Sequence, residues 1–142
     1  KRYYQELFYI EYNKKNISTI SNNYLEGLEW TWKYYTIGCQ NWRWKYNYNY
    51  PPLLEDLYDY IPNKSISLIQ KNNKNITALV QLAYVLPKEY INLIPTKYHK
   101  ILKQQNFYDI ISFDWSFCKY FWESNINLIE IDIDNLEQLM KE

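Results

Sequence analysis

The residues best suited to chemistry in this chain sit in one short run. "NWRWKYNYNYPP", residues 41–52, places Trp42, Trp44, Tyr46, Tyr48 and Tyr50 on every second position, with Arg43 and Lys45 between the first three rings. Rings and cations from one piece of chain suit single-stranded nucleic acid. Aromatic faces stack on bases at about 1–3 kcal/mol each, and cations meet phosphates. The same pattern also fits a tryptophan-anchored loop that seals a core. Period-two alternation further fits a strand with one apolar face, although the run ends in a double proline.

The rest of the chain offers little for catalysis. Glycine occurs twice, which excludes a Gly-rich phosphate loop. His99 is the single histidine, which argues against a His-based metal site or a Ser-His-Asp arrangement. It lies among lysines on an expected helix and reads as a surface residue. Asp132 and Asp134 could offer oxygens to Mg²⁺ or cap a helix, and capping is the simpler role. Glu26 and Glu29 stand on adjacent turns of an expected helix as a conceivable acid pair, without a third acid or a basic partner nearby. Cys39 and Cys118 form neither a disulfide framework nor a metal cluster by spacing, so the expected setting is reducing and intracellular. No long apolar run suggests a membrane span.

Length and composition set the frame. A chain of 142 residues fits one domain with a real core. It opens at Lys1 and its only methionine is Met140, which suggests a segment of a longer protein. Aromatic residues make up 20% of the chain, and most are tyrosines, whose polar tips suit half-buried surfaces. Net charge is zero, which argues against nucleic-acid binding by overall charge. The distribution is uneven: residues 1–50 carry +3, residues 51–102 carry +2 and residues 103–142 carry −5.

The elements that must position the aromatic run read as mainly helical. Tyr4, Leu7, Phe8 and Glu11 give a short amphipathic helix within residues 1–12, followed by a turn at residues 13–16. Ile17, Ile20, Tyr24, Leu28, Trp32 and Tyr35 then form a long stripe at steps of three and four. Ser18 or Ser21 could cap its start, and Gly38 stands where a left-handed C-terminal residue is wanted. Gly27 inside it costs about 1 kcal/mol in helix propensity and would suit close approach of another backbone. Shorter helices are expected over residues 53–60, 77–86 and 95–103, with a helical turn at 88–94. A last helix, capped by Asp132 or Asp134, runs through Lys141. Residues 110–131 are the place for a small β element. The fold class is thus a mainly α, single helical domain over residues 1–142 with long aromatic-rich loops.

At this point the residues carry a resemblance. "YLEGLEWTWKYYTIGCQNWRWKYNYNYPP", residues 24–52, resembles the XRN family of 5′→3′ exoribonucleases. That family's pattern runs through Tyr-x-Glu-Gly-Leu-x-Trp, a Tyr-Tyr pair and a glycine to a Trp-x-Trp run ending in Pro. Tyr24, Glu26, Gly27, Leu28, Trp30, Tyr34, Tyr35, Gly38, Trp42, Trp44, Tyr46, Tyr48, Tyr50, Pro52 and Asp56 coincide in order. "QLAYVLP", "LIPTKYHKIL" and "FWESNINLIEIDIDNLEQLM" resemble later segments of the same region. Lys45, Asn47, Asn49 and Pro51 depart from the family's usual Tyr, Pro, His and Ala. Residues 113–119 are shorter and lack the family's Asn-Gly turn.

The resemblance implies the helical, second conserved region that packs beside a nuclease domain. It implies that catalytic Mg²⁺ is held by acidic residues of that N-terminal domain, and that this chain binds no cofactor itself. Trp42 or Trp44 would stack on bases at the 5′ end of single-stranded RNA carrying a 5′-monophosphate, with Arg43, Lys45 and Tyr46 beside it. Tyr24, Glu26, Gly27, Trp30, Tyr34, Tyr35, Gly38, Tyr48 and Tyr50 would form the supporting motif. The parent would hydrolyse RNA to mononucleotides, whereas these 142 residues alone would be inactive. A non-catalytic aromatic RNA- or protein-binding module is the alternative. The expected setting is intracellular, cytoplasmic rather than nuclear, with no membrane partner.

Overall fold

The computed structural model describes residues 1–104, 109–115 and 118–141, with the backbone alone described at Ile111. Its contacts divide the chain into two compact units, Lys1–Asn75 and Ile76–Glu142. The architecture is mainly α, with one small two-stranded sheet.

The first unit is built on three helices, α1 (Arg2–Phe8), α2 (Lys14–Ile37) and α3 (Leu54–Tyr58). Helix α1 stops at Tyr9, which adopts left-handed backbone angles of φ 54° and ψ 35°. It is therefore shorter than the 12-residue amphipathic pattern suggests. Helix α2 starts earlier than its apolar stripe, because Asn13 caps it: the Asn13 side chain accepts from the Asn16 backbone N–H at 2.9 Å. The expected turn at residues 13–16 is instead the first turn of α2, and neither Ser18 nor Ser21 is the cap. At the other end Gly38 has φ 94° and ψ 172°, a positive φ that a side chain disfavours but not the left-handed helical pair expected.

The core of this unit is Tyr4, Ile17 and Ile20, with Phe8, Tyr48 and Tyr60 packed against it. The Tyr4 hydroxyl donates to Asp56 at 2.7 Å and accepts from the Leu53 N–H at 3.0 Å, tying α1 to the start of α3. Burial, then the Asp56 carboxylate, push the Tyr4 phenol well above its ordinary range, so it stays a neutral donor. The long stripe of α2 is not buried along its length. Ile17 and Ile20 are in the core, whereas Leu28, Trp32 and Tyr35 are exposed. The core cluster meets only the first half of α2, at Ile17 and Ile20, and Leu28, Trp32 and Tyr35 lie outside it.

The second unit contains α4 (Ala78–Val85), α5 (His99–Gln104), α6 (Ile133–Leu139) and strands β1 (Ile110–Asp114) and β2 (Asn125–Leu128). Thr77 caps α4 through its side chain, and Asp132 Oδ1 caps α6 by accepting from the Asp134 and Asn135 N–H groups. Val80, Ala83, Ile94, Tyr98, Leu102, Leu136 and Met140 form its core. His99 is half-buried, with Nε2 2.7 Å from the Ile94 carbonyl oxygen, so it is a packed structural residue and not a plain surface one. The β element expected over residues 110–131 exists: β1 and β2 pair antiparallel, with Phe113 opposite Ile126 and an irregularity between Ile110 and Ser112. Ser116 and Phe117, within the shortened stretch at 113–119, lie outside the described residues.

The Asn13 cap satisfies one of the free N–H groups at the start of a 24-residue helix. Asn13→Ala is expected to lower stability by about 1 kcal/mol, read as a shift in the urea midpoint at constant slope; an unchanged midpoint contradicts the assignment.

Candidate nucleic-acid interface

Helix α2 supplies the floor of the site. Asn23, Glu26, Gly27, Trp30 and Tyr34 follow one another at steps of one to four along α2, and residues 41–50 run back along them. The segment keeps the period-two alternation without forming a ladder. Its one bridge is parallel and isolated, Asn41 with Asn72. The alternation therefore belongs to an extended loop, and α2 is what its rings pack on.

Trp44 is the anchor. Its ring lies over the α2 backbone so closely that a Cβ added at Gly27 would stand 2.7 Å from Trp44 Cη2. The expectation that Gly27 permits close approach is met by a ring, not a second backbone. Trp44 stacks on Trp30 with centroids 6.0 Å apart and planes at 23°, and Trp30 stacks on Tyr34 at 5.3 Å and 13°. A column of three rings results. Trp44 Nε1–H donates to Glu26 Oε2 at 3.2 Å, and Trp30 Nε1–H donates to the Asn41 carbonyl at 2.8 Å. The column thus satisfies both indole N–H groups.

Further along, the Asn47 N–H donates to Asn23 Oδ1 at 3.0 Å. Tyr46 meets Tyr24 edge to face at 5.6 Å and donates its hydroxyl to the Tyr50 carbonyl at 2.7 Å. Burial, followed by the neighbouring Tyr48, Tyr24 and Tyr3, raises the Tyr46 phenol well above its ordinary range. Tyr48 and Tyr50 pack on Phe8. Four of the five alternating rings, Trp44 to Tyr50, are thereby half-buried.

Trp42 is the exception. It is 44% exposed and meets Tyr34 at 6.4 Å with planes at 88°. Arg43 is half-buried, and its Nε–H donates to the Lys74 carbonyl at 3.3 Å, while Lys45 is exposed. Tyr35 is exposed and does not join the column, though it meets Tyr34 edge to face.

A second polar hub fixes the segment after α3. Glu29 accepts from Lys33 Nζ at 2.6 Å and from the Leu68 and Ile69 N–H groups at 2.6 and 3.0 Å. Glu26 and Glu29 are therefore spent on two different loops and do not act as an acid pair. Burial alone would raise the Glu29 carboxyl, but the donations from Lys33, Leu68 and Ile69 outweigh it and hold the pKa below its ordinary 4.5.

Residues 120–122 read in the sequence as part of an aromatic-rich stretch for a β element and not as site residues, yet they yield the most exposed indole. Trp122 is 77% exposed and stacks on Tyr120 with centroids 4.5 Å apart and planes at 8°; Lys119 Nζ lies 5.1 Å from the Tyr120 ring centre. The available signal was a Lys-Tyr-Phe-Trp run that again joins cation and rings. Among the described residues, no group of three or more His, Cys, Asp or Glu side chains could hold a metal ion. No helix among them is long and apolar enough to cross a membrane.

The class so defined is a mainly α region with an aromatic loop locked onto a long helix. The chain belongs to the Xrn1 helical-domain family, whose model matches residues 1–127. It is similar to 5′-3′ exoribonuclease 2 of Gallus gallus, 28% identical over 149 residues, covering 100% of this chain and 16% of that protein. It is similar to 5′-3′ exoribonuclease 2 of Chaetomium globosum at 30% identity, covering 99% of this chain and 14% of that protein. Similarity to 5′-3′ exoribonuclease 1 of Saccharomyces cerevisiae is 28% over 100 residues, covering 70% of this chain and 6% of that protein. The chain thus spans a small fraction of the length of the curated relatives it matches.

Two outcomes follow from this geometry. Alanine favours a helix interior by about 1 kcal/mol over glycine, but overpacking against a stacked indole costs about 1–3 kcal/mol. Gly27→Ala is therefore expected to lower the thermal midpoint and change the near-UV dichroism of the tryptophans; a raised midpoint contradicts the close contact. For Glu29, the folded pKa lies below the unfolded one, so its contribution is present above about pH 4.5 and is lost as pH falls through the folded value. Glu29→Gln should flatten the acid limb of stability against pH, measured by urea denaturation at a series of pH values.

Proposed function

We propose that this chain serves as the helical region of a 5′→3′ exoribonuclease, helping to form the RNA entrance and stacking bases at the 5′ end of single-stranded RNA carrying a 5′-monophosphate. The observation that carries the reading is the exposed Trp42 ring at the edge of a locked ring column, in a chain of this family. Trp42 is the ring assigned to stacking, while Trp44 and Tyr46 act as its anchors. Arg43 and Lys45 are assigned to phosphates, Lys45 with the more exposed side chain.

The same proposal places a nuclease domain of the parent protein beside this region, in an intracellular and cytoplasmic setting. It treats residues 1–142 as one domain, supported by a family match that runs across the boundary between the two units. Hydrolysis to mononucleotides would use Mg²⁺ held by that nuclease domain, where the metal would activate water. The described residues of this chain do not fit as its ligands, and no step is assigned to them. A non-catalytic RNA- or protein-binding module is the alternative, and RNA binding without any nuclease partner would favour it.

A second reading is favoured by the exposure of Trp122: the stacking ring is Trp122, resting on Tyr120 beside Lys119. Fluorescence anisotropy with a 5′-monophosphorylated single-stranded oligoribonucleotide separates the readings. Affinity should fall with salt. Trp42→Ala should weaken binding by roughly one to two orders of magnitude, the effect of one lost base stack of about 1–3 kcal/mol, with the melting temperature kept. An unchanged affinity in Trp42→Ala together with that loss in Trp122→Ala would transfer the role. No binding at low salt by the unaltered chain sinks both. The chain alone should not degrade RNA with Mg²⁺ present, and decay by a contaminant-controlled sample refutes this.

A further inference from the structure

We propose that Glu26 is the positioning residue for the Trp42 ring, a role that rests on the RNA-stacking reading above. Its Oε2 accepts from two donors at once, Trp44 Nε1–H at 3.2 Å and Asn23 Nδ2–H at 3.0 Å. Asn23 in turn accepts from the Asn47 backbone N–H at 3.0 Å through its Oδ1. One carboxylate oxygen therefore holds the loop at residue 44 directly and at residue 47 through one side chain. Asn23 is buried and Glu26 half-buried, so these donors have little water to turn to.

Trp42 lies inside this arrangement. The Asn41 carbonyl on one side is held by Trp30, and Trp44 on the other is held by Glu26. Both points sit on α2, a continuous helix, so the exposed ring between them is referred to a rigid element. Truncating Glu26 leaves the Trp44 and Asn23 donors unpaired and frees the Trp44 indole to slide from Gly27. Trp42, two residues away, then loses its fixed direction.

The sign of the effect sets positioning apart from simple electrostatics. Glu26 is a negative charge close to a surface assigned to RNA, so removing it should tighten binding if charge alone mattered. Positioning requires the reverse. The amide of Gln offers one oxygen that can accept both donations, so Glu26→Gln separates geometry from charge.

The experiment measures oligoribonucleotide affinity for the unaltered chain, Glu26→Ala, Glu26→Gln, Trp42→Ala and the Glu26→Ala/Trp42→Ala double variant. Melting temperatures and the ¹⁹F spectrum of 5-fluorotryptophan protein accompany it, with the Trp42 resonance assigned from Trp42→Phe. Glu26→Ala should weaken binding about fivefold and Glu26→Gln by less than about twofold, since only part of one stacking contact is lost. In the Trp42→Ala background Glu26→Ala should change affinity no further, although its effect on melting persists. The Trp42 resonance should move in Glu26→Ala and stay in Glu26→Gln. Tighter or unchanged binding in Glu26→Ala, an equal loss in the Trp42→Ala background, or an unmoved resonance overturns the proposal. If the unaltered chain fails to bind while the resonance moves, the RNA reading fails and the positioning role stands. Should Glu26→Ala not fold, Glu26→Asp, whose shorter side chain withdraws the carboxylate from both donors while keeping its charge, supplies the same comparison.

Discussion

The contact between the Trp44 ring and the α2 backbone at Gly27 is the constraint on which the site depends. A ring can lie that close to a helix only where no Cβ intervenes, so the loop's position is fixed by the absence of one side chain. From that seat the ring reaches Trp30 for stacking and Glu26 for its N–H. Both partners stand on the same helix within four residues of Gly27, so the seat is defined by helix geometry and not by a distant element. Residues 41–50 are held on α2 without a sheet: the Asn23 and Trp30 side chains bond the Asn47 N–H and the Asn41 carbonyl, and Glu26 holds the Trp44 indole.

This arrangement divides α2 between two tasks. Its first half buries Ile17 and Ile20 against Tyr4 and the neighbouring rings, and this anchors the helix. Its second half carries the column of Trp44, Trp30 and Tyr34 on one side and the hub at Glu29 nearby, while Leu28, Trp32 and Tyr35 remain open. A helix that is apolar on a face without a core behind it is common where a chain meets further structure. In the second unit a separate core holds α4 and α6 together, and Phe113, Trp115, Tyr120, Phe121 and Trp122 lie outside it, with Phe113 and Trp115 each packed on Phe121.

How much was legible in the sequence differs by element. The helices at 54–58, 78–85 and 133–139 fall inside the stretches marked by apolar spacing, proline and capping residues, because these signals are local. The start of α2 was misplaced, since Asn13 caps as well as serine does and only the backbone angles at Asn13 choose between them. The role of His99 was missed for a similar reason: sequence neighbours are lysines, but the ring turns to the Ile94 carbonyl five residues back. In the aromatic run, the pattern gave the rings and their alternation but not which one is free. Trp42 and Trp44 have nearly the same sequence surroundings.

The sequence alone therefore determined the helical class, the long amphipathic helix, the alternation of rings over residues 42–50, and the family motif that contains Glu26 and Gly27. Those follow from residue type and spacing, which act over a turn or two of chain. Only the tertiary structure decided that Trp44 is the seated ring and Trp42 the exposed one, that Glu26 and Glu29 serve two separate loops, and that the α2 stripe is uncovered beyond Tyr24. Each of these depends on which residues far apart in the chain come within contact distance, and a periodic pattern carries no information about that.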